Sequence, residues 1–302
     1  MRRNIVNRVL SPSQFNPQTE MKQPDLDLRY VFDEKPPVVE LHTHIFYEFF
    51  FFCAGDLETY LVDSHSYSLK HGDILVIPPG IMHHPIFSVS AGPYKRYVLS
   101  VSQEFMERRI SEDPGIMYAI NLCCKSNEFL IRCSTPAHAE RLEHCLLSMW
   151  YEIQQENLCM NAYLHSLCTQ FLVELNRSVS DSNIVSARLD HRRPLLEKIT
   201  SYIWENFSHR LSLGQTAEYF FVSPATVENL FRQKLGKSFY QYVVEYRIAI
   251  AQSMIVQGYP LKDISSQCGF SDYSAFYKLF KKQLGVSPSE YRSIAPSNYF
   301  NN

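Results

Sequence analysis

The last hundred residues contain a near-repeat, and this feature limits the possible fold more than any other. The stretch Leu230–Gly236 (LFRQKLG) recurs as Leu279–Gly285 (LFKKQLG). Each copy follows a short helical segment, a turn and a polar helix start. This order is typical of the helix-turn-helix, whose second helix enters the major groove of DNA. Two copies in tandem predict an all-α C-terminal region that contacts DNA in two places.

Polar capping residues mark where the predicted helices of this region begin. Ser212, Ser238 and Ser287 each precede a Gln or Glu by three residues, which is the capping-box pattern. Ser223 and Asp272 provide similar caps for the two recognition helices, which we expect near residues 224–235 and 272–284.

The spacing of the two units fits the pitch of DNA. A helix of about 20 residues is predicted over 238–257 and would span about 30 Å. Successive major grooves on one side of a duplex lie about 34 Å apart. One chain can therefore place two recognition helices in adjacent grooves, with some bending of the duplex.

Residues that face away from the predicted cores form the candidate DNA-binding set. They are Ala225, Thr226, Glu228, Asn229 and Arg232 on the first recognition helix, and Tyr273, Ser274, Tyr277, Lys278, Lys281 and Lys282 on the second. We expect the second helix to supply more affinity, because its lysines can neutralise phosphates. Glu228 would repel phosphate, but its carboxylate can accept a hydrogen bond from a cytosine amino group.

Charge and cysteine content are consistent with a cytoplasmic DNA-binding protein. Residues 194–302 carry 11 Lys and Arg against 8 Asp and Glu, whereas residues 1–193 carry 18 against 23. The eight cysteines show no zinc-binding spacing, and many unpaired thiols are typical of a reducing compartment. The most apolar run, 46–54, is too short to span a bilayer, so no membrane partner is expected.

The N-terminal part divides into an arm, a β-rich segment and a helical segment. Residues 1–28 are predicted to be an arm. Short β-type runs separated by Pro and Gly turns predict a small barrel over 29–110. Apolar residues at helical spacing predict helices over 111–178, and a Ser- and Asp-rich linker follows at 179–193 before the DNA-binding region at 194–302.

One predicted helix of this segment, near 136–155, carries a stripe of Leu142, Leu146, Met149 and Ile153. The stripe has two interpretations of equal weight. It either packs against the barrel or forms the antiparallel seam of a homodimer, since it is too short to argue a true coiled coil.

The C-terminal third resembles the DNA-binding domain of the AraC/XylS family of bacterial transcription regulators. The resemblance rests on LFRQKLG at 230–236, ISSQCGFSD at 264–272 and GVSPSEYR at 285–292. It implies promoter binding, usually as an activator that contacts RNA polymerase. It also places base-reading residues at Ala225, Glu228, Asn229, Tyr273, Ser274, Tyr277 and Lys278.

The N-terminal half resembles the cupin barrels that often serve as sensor domains in this family. His42, His44, Glu48 and His83 stand in the two cupin motifs, although Pro36 replaces the glycine expected before the first histidine. Three histidines and a carboxylate suit Zn, Mn, Fe or Ni. Co-ligation by Glu48 requires the chain to bend after His44, because four residues of straight strand span about 13 Å.

Three interpretations of this histidine cluster remain open. It can line an effector pocket together with Phe50, hold a divalent metal, or form a structural hydrogen-bond network. No cofactor is otherwise expected. His65, His71 and His84 are expected in turns or on the surface.

Together these observations predict a two-domain α+β protein: a cupin-like β-barrel with a helical appendage, followed by an all-α tandem helix-turn-helix domain. The favoured function is a homodimeric, non-enzymatic DNA-binding regulator, controlled by a small-molecule effector for which a carbohydrate is one candidate. One alternative is a metal-dependent cupin enzyme that regulates its own gene, acting at the histidine cluster. Another is a ligand-independent regulator whose N-terminal half binds a protein partner.

Overall fold

The protein has a β-rich N-terminal domain and an all-helical C-terminal domain, as predicted. The computed structural model describes residues 21–35, 39, 41–63, 65–87, 92–155, 157–179, 184–185, 195–256 and 258–294. Most of the predicted arm and most of the predicted linker lie outside these residues. Among the described residues, no helix is both long and apolar enough to cross a bilayer.

Among the described residues of the N-terminal domain, nine strands form two antiparallel sheets. They are β1 (Leu26–Asp33), β2 (Tyr47–Ala54), β3 (Leu57–Val62), β4 (His65–Tyr67), β5 (Asp73–Ile77), β6 (His83–Phe87), β7 (Tyr94–Val101), β8 (Leu130–Arg132) and β9 (Ile184–Val185). The larger sheet has the order β1-β7-β2-β5-β8-β9, and the smaller has the order β4-β3-β6. Strand β1 begins inside the predicted arm, and β9 lies inside the predicted linker.

Alternation along β2 separates two apolar cores. Phe49 and Phe51 face a core built with the helices of this domain. Phe50 and Phe52 face the interior between the two sheets, where they meet Tyr60 of the smaller sheet. Successive side chains of a strand point to opposite faces, so this almost wholly apolar strand is buried on both sides.

The described part of the N-terminal domain contains four α-helices: α1 (Gln103–Glu112), α2 (Tyr118–Ser126), α3 (Pro136–Gln155) and α4 (Met160–Ser178). The expectation of helices throughout 111–178 is wrong in one place, because β8 interrupts them and pairs with β5. Helices α3 and α4 pack side by side against the outer face of the larger sheet.

The assignment of the α3 stripe to a dimer seam is wrong. Leu142, Leu146 and Met149 have no exposed side-chain surface within a single chain, and Ile153 is partly buried against the same core. They share this core with Phe171 and Leu175 of α4. Leu142, Leu146 and Met149 are already enclosed by their own domain and have no surface left for a second copy, which favours the packing interpretation for these three residues.

The C-terminal domain consists of α5 (Leu195–Asn206), α6 (Leu213–Tyr219), α7 (Pro224–Leu235), α8 (Phe239–Val256), α9 (Leu261–Gln267), α10 (Tyr273–Leu284) and α11 (Pro288–Ile294). The near-repeat coincides with the ends of α7 and α10. Gly236 and Gly285 follow these helices with φ of 68° and 75°, a left-handed conformation that glycine adopts without steric cost.

Helix α8 joins two separate helical cores. Its residues Phe239, Tyr242 and Tyr246 belong to the core of α5 to α7, whereas Ile248 and Ile255 belong to the core of α9 to α11. The helix has 18 residues and is therefore about 27 Å long. It is a structural member of both helix-turn-helix units.

Candidate DNA-binding surface and ligand site

The first recognition helix, α7, is held at both ends by local interactions. The Ser223 hydroxyl accepts from the Thr226 amide, and Val227 and Phe231 anchor the inner face without exposure. Ala225, Thr226, Asn229 and Arg232 are exposed, as the sequence predicted. A helix anchored in this way presents a fixed outer face to a groove.

Glu228 lies on this helix but is engaged in contacts within the protein. One carboxylate oxygen accepts from Nε of Arg232 at 2.8 Å, and the other accepts from the amide of Phe239 at 3.2 Å. Phe239 is the first residue of α8, so Glu228 satisfies one of the free amides at that helix start. Its predicted hydrogen bond to cytosine would require these contacts to break.

The second recognition helix, α10, presents a more positive face. The Asp272 carboxylate accepts from the Ala275 amide, which lowers the pKa of Asp272, and Phe276 and Phe280 fill the core. Its predicted DNA-binding residues all have solvent access: Tyr273, Ser274, Lys278, Lys281 and Lys282 are exposed, and Tyr277 is half-buried.

The cations of the two recognition helices differ in their partners. On α7, Arg232 pairs with Glu228, and Nζ of Lys234 lies 2.9 Å from a carboxylate oxygen of Glu58 in the N-terminal domain. Among the described residues, the ion pairs include none of the three lysines of α10. An unpaired lysine can bind a phosphate directly, whereas a paired cation must first release its carboxylate partner.

The turn between α9 and α10 in the second unit requires glycine at position 269. Gly269 has φ of 73°, and a Cβ at this position would lie 2.3 Å from the carbonyl oxygen of Phe207. The equivalent turn of the first unit uses Phe221 at φ 56°, with 96 % of its side chain exposed. The second turn is thus packed tightly under the first unit, while the first is open.

In the N-terminal domain, the structure brings together three of the four residues predicted to ligate metal. His44 and His83 have no exposed side-chain surface, and Glu48 is 4 % exposed. Ligand atoms of these three residues lie within 4.8 Å of one another. His42 lies beside them, with its ring centroid 4.2 Å from that of His83, but outside this group.

The backbone explains this convergence. The chain bends after His44, as co-ligation by Glu48 requires, because β2 begins only at Tyr47. His42 and His83 form an isolated antiparallel bridge, with His83 donating its amide to the His42 carbonyl at 3.0 Å. That bridge sets β6 beside the segment that carries His44.

The two buried histidines are oriented by backbone carbonyls. Nδ1 of His44 lies 2.8 Å from the Phe46 oxygen, and Nδ1 of His83 lies 3.0 Å from the Ile81 oxygen. In both rings Nε2 is buried without a hydrogen-bond partner. Burial lowers the pKa of His83 to about 4, despite the opposing effect of Glu48. Burial would raise the pKa of Glu48, but His44, His83 and Arg29 outweigh it and hold the pKa low.

Aromatic rings continue the site into the domain interior. The ring of Tyr60 lies nearly parallel to that of His83, and Phe50 lies 4.8 Å from Tyr60 between ring centroids. The buried hydroxyl of Tyr94 has no hydrogen-bond partner. Phe50, predicted to line an effector pocket, therefore lies in the same apolar interior that adjoins the histidines.

A contact between the two domains was not foreseen from the sequence. Leu41, Leu61, Met82 and Ile86 of the N-terminal domain are buried in the same apolar core as α5, α7 and the first half of α8. Strand β6 contacts α7, and β4 contacts α5.

Strand β6 connects this contact to the histidine cluster. His83 points into the cluster, while the next residue, His84, lies with its ring 6.3 Å from that of Tyr242 on α8. The expectation that His84 is a surface residue is wrong, because it is 4 % exposed. Its burial, followed by the charges of Lys237 and His42, lowers its pKa to about 3. Successive side chains of a strand face opposite sides, so β6 places His83 in the cluster and His84 against α8.

Comparison with known proteins identifies both domains. The family described as "AraC-like ligand binding domain" matches residues 30–168, and the family described as "Helix-turn-helix domain" matches residues 216–294. The transcriptional regulator YijO of Escherichia coli is 27 % identical over 74 % of each chain. The arabinose operon regulatory protein of E. coli is 24 % identical over 74 % of this chain and 73 % of that one. The C-terminal domain of AraT, a response regulator from Geobacillus stearothermophilus, is 29 % identical over 37 % of this chain and 96 % of that one, with a TM-score of 0.35.

Proposed function

The chain belongs to the AraC family of DNA-binding transcriptional regulators, which are not enzymes, and on this premise we propose that a ligand in the N-terminal domain controls how the first helix-turn-helix unit engages promoter DNA. The observation that carries this proposal is the apolar core shared by the N-terminal domain and the first unit. A ligand can shift such an arrangement only if it binds one state more tightly than the other.

The contact is restricted to one of the two units. Cluster residues from the N-terminal domain pack with α5, α7 and the first half of α8, while the core of α9 to α11 consists of C-terminal residues alone. In addition, Lys234 of the first unit forms an ion pair with Glu58 of the N-terminal domain. In this proposal α10 anchors the protein on DNA, and α7 is the recognition helix under control.

The path from ligand to DNA runs through β6. His83 contacts the ligand site, and His84 on the opposite face contacts Tyr242. Tyr242 accepts a hydrogen bond from the indole of Trp204 on α5 at 3.2 Å. A displacement of β6 by a bound ligand therefore reaches both α5 and α8.

Three further elements belong to the same proposal. The protein acts as an activator that contacts RNA polymerase, as the resemblance to AraC/XylS regulators implies. It works as a homodimer through a surface other than the buried α3 stripe. Its organic effector is a carbohydrate, which is supported by the similarity to the arabinose operon regulatory protein.

Charge reversal at the domain contact tests the proposal. The variant Glu58→Lys removes the partner of Lys234 and places two cations side by side, which should free α7 without ligand. We expect several-fold stronger protection of the α7 half of the binding site and little change in melting temperature, because exposed ion pairs contribute about 0–1 kcal/mol. Hydroxyl-radical footprinting on a duplex selected from a random library by the full-length protein measures this.

Two controls make the footprint interpretable. Glu34→Lys adds the same charge at an exposed end of β1 and should leave the footprint unchanged. Asn229→Ala and Lys278→Ala identify which half of the site belongs to α7 and which to α10. Equal footprints for Glu58→Lys and the wild type, or equal strengthening of both halves, would refute control through this contact.

A further inference from the structure

Arg247 lies on α8 at the point where the helix passes from one core to the other. Tyr246, the residue before it, packs in the core of α5 to α7, and Ile248, the residue after it, packs in the core of α9 to α11. Arg247 is half-buried, and the ion pairs found among the described residues do not include it. Its guanidinium is bound by backbone carbonyls instead.

These carbonyls belong to the loop between α5 and α6. Nε of Arg247 donates to the carbonyl of Phe207 at 2.9 Å, and Nη2 donates to the carbonyl of His209 at 2.7 Å. Hydrogen bonds with a charged donor are roughly twice as strong as neutral ones. The planar fork of arginine also holds two acceptors in one fixed geometry. Arg247 therefore ties a loop of the first helix-turn-helix unit to the middle of α8.

The turn of the second unit packs against the same guanidinium and the same loop. A Cβ on Gly269 would lie 3.0 Å from Nη2 of Arg247 and 2.3 Å from the carbonyl oxygen of Phe207. The next residue, Phe270, is buried in the core of α9 to α11, and its ring centroid lies 5.9 Å from Cζ of Arg247. This distance is within the range of cation–π attraction. One side chain of α8 thus contacts parts of both units that lie outside α8.

Contacts beside the helix add a constraint that α8 cannot supply alone. The helix sets the distance between the two units, but a helix can curve along its length. A joint between the loop of one unit and the turn of the other opposes that curvature and fixes the angle between α7 and α10. Binding that needs a particular arrangement is weakened in proportion to the fraction of protein outside it.

We propose that Arg247 is a positioning residue for DNA binding, which holds the two units in the orientation that lets α7 and α10 contact one duplex at the same time. This inference rests on the function proposed above only in requiring that both units bind DNA. Without the guanidinium, each unit keeps its own core and its own recognition face. The loss of Arg247 should therefore appear only when both DNA segments are present.

Affinity for three duplexes separates positioning from folding. The first is selected from a random library by the full-length protein, and in the other two either the α7 segment or the α10 segment is scrambled. Arg247→Met removes the guanidinium and keeps an unbranched side chain. Hydrogen bonds to charged groups shift an equilibrium by roughly tenfold or more, so the aligned fraction should fall to about a tenth. Binding to the full duplex should then weaken about tenfold, and binding to each single-segment duplex should equal that of the wild type. Fluorescence anisotropy measures all three affinities.

Two further arginine variants separate this role from loss of an ordinary contact and from loss of charge. Arg292 of α11 also donates to a backbone carbonyl, that of Tyr259, within the second unit. Arg292→Met is the matched control, and its affinities for the full and the α10-segment duplexes should change by the same factor. Arg247→Lys keeps the charge but cannot hold both carbonyls in a fixed fork, so it should behave like Arg247→Met.

Gly269→Ala separates the same two surfaces from the side of the second unit and should reproduce the loss. It replaces Arg247→Met in the test if circular dichroism shows that variant to be unfolded. Equal losses on all three duplexes, or wild-type affinity for the full duplex, would overturn the positioning role. A smaller salt dependence in Arg247→Met would also overturn it, because Arg247 would then be a phosphate contact.

The wild-type measurements keep this inference distinct from the function proposed above. A wild type that binds the full duplex no more tightly than a single-segment duplex would overturn both the inference and the engagement of DNA by two units. Equal footprints for Glu58→Lys and the wild type would refute control by the N-terminal domain alone, since no ligand enters these affinities.

Discussion

Replacement of Lys278 should reduce the salt dependence of DNA binding, whereas replacement of Lys234 should not. Lys278 is exposed on α10 and belongs to no ion pair found among the described residues, while Lys234 on α7 is paired with Glu58. Each phosphate neutralised by a cation changes the slope of log K against log salt by about 0.9. Between about 50 and about 200 mM salt, one such contact weakens binding by a factor of about 3.5.

Raising the salt concentration over this range should therefore weaken DNA binding by Lys278→Ala about 3.5-fold less than binding by the wild type. The slope of log K against log salt should be smaller in magnitude by about 0.9. Lys234→Ala should keep the wild-type slope in the absence of ligand. Fluorescence anisotropy with a labelled selected duplex, measured at several salt concentrations, gives both slopes. Equal changes for the two variants, or no change for Lys278→Ala, would refute the assignment of α10 as the anchoring helix.

Two further predictions concern stability and assembly. Leu142→Ala should lower the free energy of unfolding by about 2–5 kcal/mol, because it leaves a cavity in a closed core. Sedimentation should show that the variant keeps the oligomeric state of the wild type. A dissociated but fully stable variant would restore the dimer seam. Gly285→Ala should lower the free energy of unfolding by about 1–2 kcal/mol, because alanine is strained in the left-handed conformation. Gly269→Ala should lower it more, since the alanine Cβ would also lie 2.3 Å from the Phe207 oxygen. Equal costs in chemical denaturation would contradict the tight packing of that turn.

The recognition helices could be predicted closely from the sequence because their signals are local. Ser223 and Asp272 cap the starts, the glycines of the near-repeat follow the ends, and the structure places both helices at those positions. The bend that brings Glu48 to His44 was also foreseen as a condition, since a straight strand cannot provide it.

Features that depend on distant contacts could not be predicted in this way. The stripe on α3 has the same pattern whether it packs on its own domain or on a second copy, and only the position of α4 decides between them. Glu228 faces outward on α7, but its partner is the amide of Phe239 at the start of another helix. His84 lacked a sequence signal for its buried neighbour, because Tyr242 lies 158 positions later in the chain.

Helix α8 contributes to the cores of both helix-turn-helix units, and this limits which promoters the protein can recognise. Because one helix contributes residues to both cores, the distance between α7 and α10 is set by α8 rather than by a linker. Inserting a single base pair between the two contacted segments would turn one of them by about a tenth of a revolution around the duplex axis. Genuine sites should therefore share one fixed interval, and differences in the bases between the contacts should matter through how easily they let the duplex curve.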